Sequence, residues 1–320
     1  MWAEPNAAER YGPLQCDEKA EKPTPAQQRY YRLGSKRPIP WNFQNVTFVL
    51  SLVIQFAVVV FSVVAWVYQT VRSDELERKL PEVLTTILAL ETVVQIIEFV
   101  WYLAIGISYY YYCTSWGVEW RYLDWWFSTP TMLITLLFFV RYLNDPCLTN
   151  AQLRSPENFG WFLALIVVAD WFMLLCGLSY EIDPNDKESG VGDILRSLAR
   201  AVSGLRMFTL AIGFVLLGCA FIPHIYYLSE YPSSNANIVV WITLAVWVVY
   251  GLVALLLGDA RDSKGFRAPD AENKAHVRNG CYNILDLVAK NVMGILIAII
   301  AWNRIDGADP CAASPPPPSS

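Results

Sequence analysis

The sequence predicts an all-α membrane protein, built as a bundle of seven transmembrane helices. Of its 320 residues, 55% are hydrophobic and 17% are charged, which is more apolar than an ordinary soluble domain. Seven charge-poor segments are each long enough to cross a hydrocarbon core of about 30 Å. They cover approximately residues 43–71, 82–113, 118–141, 159–180, 204–228, 236–258 and 280–303. The last segment carries Asp286 and Lys290, charges that a membrane helix tolerates when they face the bundle interior.

Two polar tails flank the predicted bundle, which we place at residues 41–304. Residues 1–40 form a polar N-terminal tail, in which we find no apolar core typical of a cleavable signal peptide. Residues 305–320 form a C-terminal tail that ends in four prolines and two serines. This composition is typical of a linker or of the end of a truncated longer chain.

The composition also argues against several classes of function. A net charge of −5 gives no reason to expect nucleic acid as a partner. The sequence contains no phosphate-binding loop and no Ser/His/Asp set, so we do not predict an enzyme. The seven cysteines show no spacing typical of a metal site, and we expect buried or free thiols, with Cys16 a candidate for cross-linking a dimer.

The seventh segment holds two charges one helical turn apart. Asp286 lies four residues before Lys290, so both side chains leave the helix in the same direction. An unpaired ammonium at bilayer depth costs about 3 kcal/mol or more. Such a lysine is usually paired, neutralised or covalently consumed, and a Schiff base to a carbonyl ligand would account for both charges.

The second and third segments add further polar residues. Glu91 and Glu98 are seven residues apart and share one helix face, where such pairs more often line water than serve only as structural hydrogen-bond partners. Arg121, Asp124 and Ser128 form a one-sided stripe on the third segment. A structural ion pair between Arg121 and Asp124 remains an alternative explanation of that stripe.

Other segments contribute isolated polar or aromatic residues. Asp170 is a lone carboxyl in the fourth segment, and His224 lies near the predicted end of the fifth, where we expect it at the membrane edge. Trp247 and Tyr250 share one face of the sixth segment. Aromatic pairs are usually core residues, so they carry weight only in context.

These residues together resemble the microbial (type 1) rhodopsins over the second to seventh segments. The run Arg121-Tyr-x-Asp124-Trp-x-x-Ser-Thr-Pro130 resembles the family's third-helix signature, and Asp286-x-x-x-Lys290 resembles its seventh-helix signature. The resemblance implies that Lys290 forms a Schiff base with covalently bound all-trans retinal. It also implies that Asp124 and Asp286 act as counterions, with Arg121 on their extracellular side.

The resemblance assigns further residues to the chromophore. Thr129 and Asp170 match a hydroxyl–carboxyl pair that links the third and fourth helices near the retinal. The pocket residues that it implies are Trp125, Thr129, Met173, Gly177, Trp247 and Tyr250. Two positions depart from many pumps, because Gly251 stands where they have a proline and Ala254 where they have a further pocket tryptophan.

Within that family, the sequence resembles channelrhodopsins more than proton pumps. Thr135 occupies the position at which outward proton pumps carry a proton-donating carboxylic acid, which disfavours efficient pumping. The run Asp286-Leu-x-x-Lys-Asn291-x-x-Gly resembles the channelrhodopsin seventh helix, and Glu91 lies 33 residues before Asp124 as in that group. The resemblance implies a gate formed by Glu91 and Asn291, and an ion pathway that we extend to Glu98, Ser128 and Thr135. A looser resemblance is to the giant-virus and alga-associated branch.

The sequence therefore predicts a light-gated channel that conducts passively. Acidic residues along the pathway slightly favour cations over anions. A light-driven proton pump and a sensory rhodopsin acting through a partner or fused domain are the alternatives. The expected partners are the lipid bilayer and inorganic ions, with a homodimer as a candidate assembly.

The resemblance also implies an integral protein of the plasma membrane with an extracellular N-terminus. The distribution of basic residues opposes this orientation. On it, the inside loops and tail carry six Lys/Arg and the outside loops nine, against the usual excess of positive charge on the cytoplasmic side.

Overall fold

The computed structural model describes residues 43–76, 82–112, 119–181, 205–231, 233–258 and 271–306. The predicted N-terminal tail lies outside these ranges, as does the predicted C-terminal tail after Asp306. The helices, in chain order, are α1 (Phe43–Leu76), α2 (Glu82–Tyr112), α3 (Glu119–Asn144), α4 (Asn150–Arg154), α5 (Phe159–Glu181), α6 (Arg206–Glu230), α7 (Ser234–Leu257), α8 (Ala271–Asp286) and α9 (Val292–Asp306). A π-helical turn, Leu287–Asn291, joins α8 to α9.

Seven membrane-spanning helices are confirmed over the described residues. They are α1, α2, α3, α5, α6, α7 and the continuous unit formed by α8, the π turn and α9. This last unit begins nine residues earlier than predicted, at Ala271 rather than near residue 280. Its polar first turns are stabilised inside the bundle, since His276 Nδ1 lies 2.6 Å from Gln44 Oε1 and Arg278 pairs with Glu181 at 3.7 Å.

The spanning helices form a closed ring, in which α3 has neighbours on several sides. Each packs against the next in sequence, and α8 and α9 return to α1. The third helix also contacts α5, α6 and α7, so it runs through the middle of the bundle. Most side chains on α3 therefore face the interior, although Leu123 and Phe127 are exposed on the outer surface.

Proline in the middle of α3 is accommodated by a partner helix. Pro130 has no N–H to donate to the carbonyl of Trp126 one turn earlier. Nε1 of Trp171 on α5 donates to that carbonyl at 3.0 Å. A close approach at Gly177 joins the same two helices, because a Cβ there would lie 2.7 Å from the Tyr122 hydroxyl.

The two halves of the bundle interior differ in polarity. The half that contains the start of α2 and the end of α3 is filled by apolar side chains that are at most 2% exposed. They include Leu84, Leu88, Leu133, Leu137, Ile297 and Ala298. Thr135 and His224 are also buried in this half, but the buried charged side chains begin near the middle of the bundle and continue through the other half, which we call the polar half.

Candidate functional site

Lys290 lies at the centre of a buried cluster of charges. Its side chain is 1% exposed and sits on the π turn. Nζ donates to Oδ2 of Asp124 at 3.0 Å, and it lies 3.5 Å from Oε1 of Glu98 and 3.9 Å from Oδ1 of Asp286. Carboxylates from α2, α3 and α8 thus surround one ammonium group. Sequence reasoning had placed Glu98 in an ion pathway and missed its position beside Lys290.

Asp286 is held by hydrogen bonds from three further helices. Tyr102 donates to its Oδ2 at 2.7 Å, and Arg121 Nη1 lies 3.3 Å from the same oxygen. Oδ1 accepts from Tyr250 at 2.8 Å and from Trp125 Nε1 at 3.1 Å. The carboxylate is therefore fixed in place, and it bridges the cationic groups of Arg121 and Lys290.

Arg121 extends this network to α1. Its Nη2 donates to Oδ1 of Asn283, whose Nδ2 donates to Thr47 Oγ1 at 2.9 Å. The carbonyl of Asn283 accepts from Ser51 at 3.2 Å. Arg121 of α3 forms its ion pair with Asp286 of α8. The structure therefore contradicts the alternative of an ion pair between Arg121 and Asp124.

A buried polar face runs along α2. Glu91, Gln95, Glu98 and Tyr102 repeat at spacings of four, three and four residues, and none is more than 1% exposed. Gln55 of α1 donates to Oε1 of Glu98 at 2.9 Å. The helical spacing from the two glutamates would have identified Gln95 and Tyr102, which the sequence analysis missed.

The remaining predicted pathway residues are buried without hydrogen bonds. Ser128, Thr135 and Asn291 are at most 2% exposed, and their side-chain polar atoms have no hydrogen-bond partner in the part of the chain that is described. No hydrogen bond joins Glu91 to Asn291 there. Oε1 of Glu91 accepts instead from Nε2 of Gln95 at 2.8 Å.

An apolar pocket opens beside the amine of Lys290. It contains about 690 Å³ of space not filled by protein atoms, part of which is open to the surroundings. All six predicted pocket residues line it, and so do several residues that the sequence analysis did not select. These further residues are Tyr122, Met132, Leu174, Leu210, Gly213, Phe214, Leu217 and Ala289.

Thr129 and Asp170 join α3 to α5 at the side of this pocket. The Thr129 hydroxyl lies 2.7 Å from Oδ2 of Asp170 and 2.7 Å from the carbonyl oxygen of Trp125. Asp170 is completely buried, and its Oδ1 has no hydrogen-bond partner among the described residues. The structure thus brings together the hydroxyl–carboxyl pair expected from the sequence.

We expect Thr129 and Asp170 to be energetically coupled. A double-mutant cycle with Thr129→Val and Asp170→Leu should give a coupling free energy of about 1 kcal/mol, the usual value for one hydrogen bond. The measurement is the free energy of unfolding of the purified protein in detergent. Thr131→Val is the matched control, because the Thr131 hydroxyl donates to the Phe127 carbonyl of its own helix, at 2.9 Å. Strict additivity of the two substitutions at positions 129 and 170 would contradict the expectation.

The structure corrects the position of His224 and adds Glu181, a buried carboxyl that the sequence analysis did not select. His224 was expected at the membrane edge, but α6 continues to Glu230 and the imidazole is fully buried, with Nε2 2.9 Å from the Leu133 carbonyl oxygen. Glu181, at the end of α5, accepts hydrogen bonds from Tyr122 at 3.3 Å and from Tyr282. At the end of an apolar segment, Glu181 had the sequence context of an ordinary solvent-facing carboxylate.

The cysteines only partly follow the expectation of free thiols. Cys176, Cys219 and Cys281 are free. Cys147, in the connection between α3 and α4, is disulfide-bonded. Cys16 lies outside the described residues, so its role as a candidate cross-link stays a prediction.

Comparison with known proteins identifies the family. The sequence profile of the bacteriorhodopsin-like protein family matches residues 47–304. The chain belongs to this family. Members of the family bind retinal through a Schiff base. A comparison with curated protein sequences finds no match.

Solved structures of microbial rhodopsins share the fold. The viral rhodopsin OLPVRII superposes with a TM-score of 0.55 at 18% identity, over 82% of this chain and 99% of that chain. Xanthorhodopsin, a light-driven ion pump with dual chromophore, gives 0.53 at 16% identity, over 81% and 95% of the two chains. The blue light-absorbing proteorhodopsin from Med12 gives 0.52 at 18% identity, over 83% and 100%.

The pocket of this bacteriorhodopsin-like chain has the chemistry that retinal needs. A polyene requires a long apolar cavity, and aromatic, methionine and leucine side chains supply one here. A covalent link requires an amine at the end of the cavity, and Lys290 is the lysine that lines it. A positive charge at that nitrogen requires acidic neighbours, which Asp124, Glu98 and Asp286 provide.

Proposed function

We propose that this protein is a light-gated ion channel that holds all-trans retinal on Lys290 and conducts passively, slightly favouring cations over anions. When bound, retinal supplies a light-driven change of shape and a change in the proton affinity of the nitrogen to which it is joined. The observation that carries the proposal is the buried polar face of α2, which runs from Glu91 to Tyr102 past the Lys290 nitrogen.

The polar groups near this face support a route for water and ions. Ser128 of α3 and Asn291 of the π turn offer buried groups that are not hydrogen-bonded within the described chain. Such groups are costly to bury unless water or an ion reaches them in some state of the protein. We assign Glu91, Glu98, Asn291, Ser128 and Thr135 to the ion pathway, with Glu91 and Asn291 at the gate.

The apolar half of the bundle supplies the barrier of the closed channel. Leu88, Leu137 and Ile297 are completely buried and present only apolar side chains to a hydrated ion. A constriction of this kind blocks ions by excluding water. Opening must therefore separate α2, α3 and α9 in this half while the polar half fills with water.

The charged cluster and the pocket have separate roles in this proposal. Asp124 and Asp286 are counterions, and Asp124 is the proton acceptor because its Oδ2 lies nearest to Nζ of Lys290, at 3.0 Å. Arg121 anchors Asp286. Thr129 and Asp170 keep α3 and α5 in register beside the pocket.

A light-driven proton pump is the second candidate. The 3.0 Å contact between Lys290 and Asp124 would suit proton transfer, and a sealed apolar half would prevent passive leakage. Thr135, which is buried in that half, offers no carboxyl group to return a proton rapidly. We therefore place the pump below the channel.

The surroundings of the protein follow from the same proposal. Seven apolar helices make it an integral, multi-pass membrane protein. We propose the plasma membrane as its location, an extracellular N-terminus and a homodimer as its assembly. Accessibility of an N-terminal tag on intact cells tests the orientation, and a tag reached only after permeabilisation would reverse the assignment of the two faces.

Whole-cell voltage clamp under illumination tests the function. We expect a current that reverses near an ionic equilibrium potential and shifts when sodium is replaced. A shift with chloride replacement alone would contradict cation preference. A small current that keeps one sign across all voltages would identify a pump, and a light-driven absorption change without any current would favour a sensor.

A further inference from the structure

The π turn that carries Lys290 is bonded to α2 by one side chain. Nε2 of Gln95 donates to the main-chain carbonyl oxygen of Lys290 at 3.0 Å. The same nitrogen donates to Oε1 of Glu91 at 2.8 Å. Gln95 is completely buried, so no bulk water competes for either bond.

The arrangement uses the full donor capacity of this amide. A glutamine NH2 group has two hydrogens, and here one serves the Lys290 carbonyl and the other serves Glu91. Any shift of the Lys290 main chain away from α2 must either lengthen its hydrogen bond to Gln95 or move the Gln95 amide. Because the amide also holds Glu91, that carboxyl must respond.

A glycine on α9 makes room for this contact. A Cβ at Gly294 would lie 2.8 Å from Nε2 of Gln95 and 3.0 Å from Oε1 of Glu91. Both distances are shorter than normal contacts between a methyl carbon and a polar atom. The absence of a side chain at position 294 therefore permits the three-way contact among α2, the π turn and α9.

We propose that Gln95 is a positioning residue that couples movement of the Lys290 main chain to the Glu91 carboxyl. A π turn is a local irregularity that can shift its register more readily than a regular helix, and such turns are frequent at functional sites. The coupling rests on the proposed function only in taking Lys290 as the point at which light acts. It does not require that the protein conduct ions.

The test is light-minus-dark infrared difference spectroscopy of the retinal-bound protein in the carboxyl stretching region. Glu91→Gln identifies the Glu91 band by its disappearance. In the wild-type protein we expect illumination to shift that band, and in Gln95→Met we expect the shift to be lost while visible absorption persists. Methionine retains the length of glutamine but donates no hydrogen bond.

Gln55→Met is the matched control, because Gln55 is equally buried and donates to Glu98 at 2.9 Å but not to the π turn. We expect it to leave the light-induced shift of the Glu91 band in place. Gln95→Asn, whose amide is one methylene too short to reach both acceptors, replaces Gln95→Met if the latter does not fold. A Glu91 shift of wild-type size in either Gln95 variant, or no Glu91 shift in the wild-type protein, overturns the coupling.

Failure of the coupling and failure of the proposed function give different results. A Glu91 shift that is lost in the Gln95 variants, together with no photocurrent, contradicts the channel and supports the coupling. A photocurrent together with a Glu91 shift that persists in the Gln95 variants supports the channel and contradicts the coupling. Absence of any visible absorption after addition of retinal removes both.

Discussion

We expect Lys290→Ala to abolish the visible absorption that the wild-type protein acquires with all-trans retinal. Lys290 is the lysine that lines the apolar pocket, so its substitution removes the amine that would form the covalent link. The measurement is the absorption spectrum of purified protein after incubation with retinal. The expected effect is complete loss of the band rather than a shift.

Lys274→Ala is the control for this substitution. Lys274 lies on the same helix but 16 residues earlier, a distance of about 24 Å along a regular helix. The control should retain full absorption. A visible band in Lys290→Ala that survives denaturation would show that retinal is attached elsewhere and would overturn the assignment.

Asp286→Asn should lower the thermal stability more than Asp124→Asn does. Asp286 forms the ion pair of Arg121 and accepts hydrogen bonds from three aromatic side chains. Leaving a buried arginine without its carboxylate typically costs about 3–5 kcal/mol. For a domain of this size, that loss lowers the midpoint of thermal unfolding by roughly 10 °C.

We expect Asp124→Asn to change the absorption spectrum more than Asp286→Asn does, the reverse of their effects on stability. Asp124 lies 3.0 Å from the Lys290 nitrogen and Asp286 lies 3.9 Å from it. The closer carboxylate stabilises positive charge at this nitrogen more strongly. Asp124→Asn should therefore shift the absorption of the retinal-bound protein further to longer wavelengths than Asp286→Asn does.

Thermal unfolding followed by circular dichroism, and absorption spectra of the same samples, measure the two effects independently. Asp145→Asn serves as a control, because Asp145 lies in the connection after α3 and outside the charged cluster. Equal losses of stability in Asp286→Asn and Asp124→Asn would show that the hydrogen bonds and ion pair of Asp286 do not contribute more to stability than those of Asp124. A larger colour shift in Asp286→Asn would show that Asp286 is the dominant counterion.

Much of the architecture was predictable from local sequence. Length and hydropathy located all seven spanning helices, because a membrane helix must be apolar over its whole crossing length. The start of the seventh helix was missed by nine residues, since His276 and Arg278 made its first turns resemble a loop. Their partners, Gln44 and Glu181, are distant in sequence, and hydropathy does not contain that information.

The residues of the candidate site were also partly predictable from the sequence, but their contacts were not. Charged residues inside apolar segments singled out Asp124, Asp286 and Lys290, because burial of an unpaired charge is costly enough to be informative by itself. The sequence did not reveal that Glu98 lies 3.5 Å from Lys290 or that Arg121 pairs with Asp286. Those contacts depend on the relative rotation and depth of separate helices.

The sequence by itself determined that this chain crosses a membrane seven times and carries a buried lysine with acidic neighbours. Only the tertiary structure decided which groups on different helices share a hydrogen bond. Gln95 of α2 donates to the Lys290 carbonyl, and the described residues show no hydrogen bond between Glu91 and Asn291. The physical reason is that hydropathy acts along each helix, whereas a hydrogen bond depends on placement to a fraction of an ångström between helices.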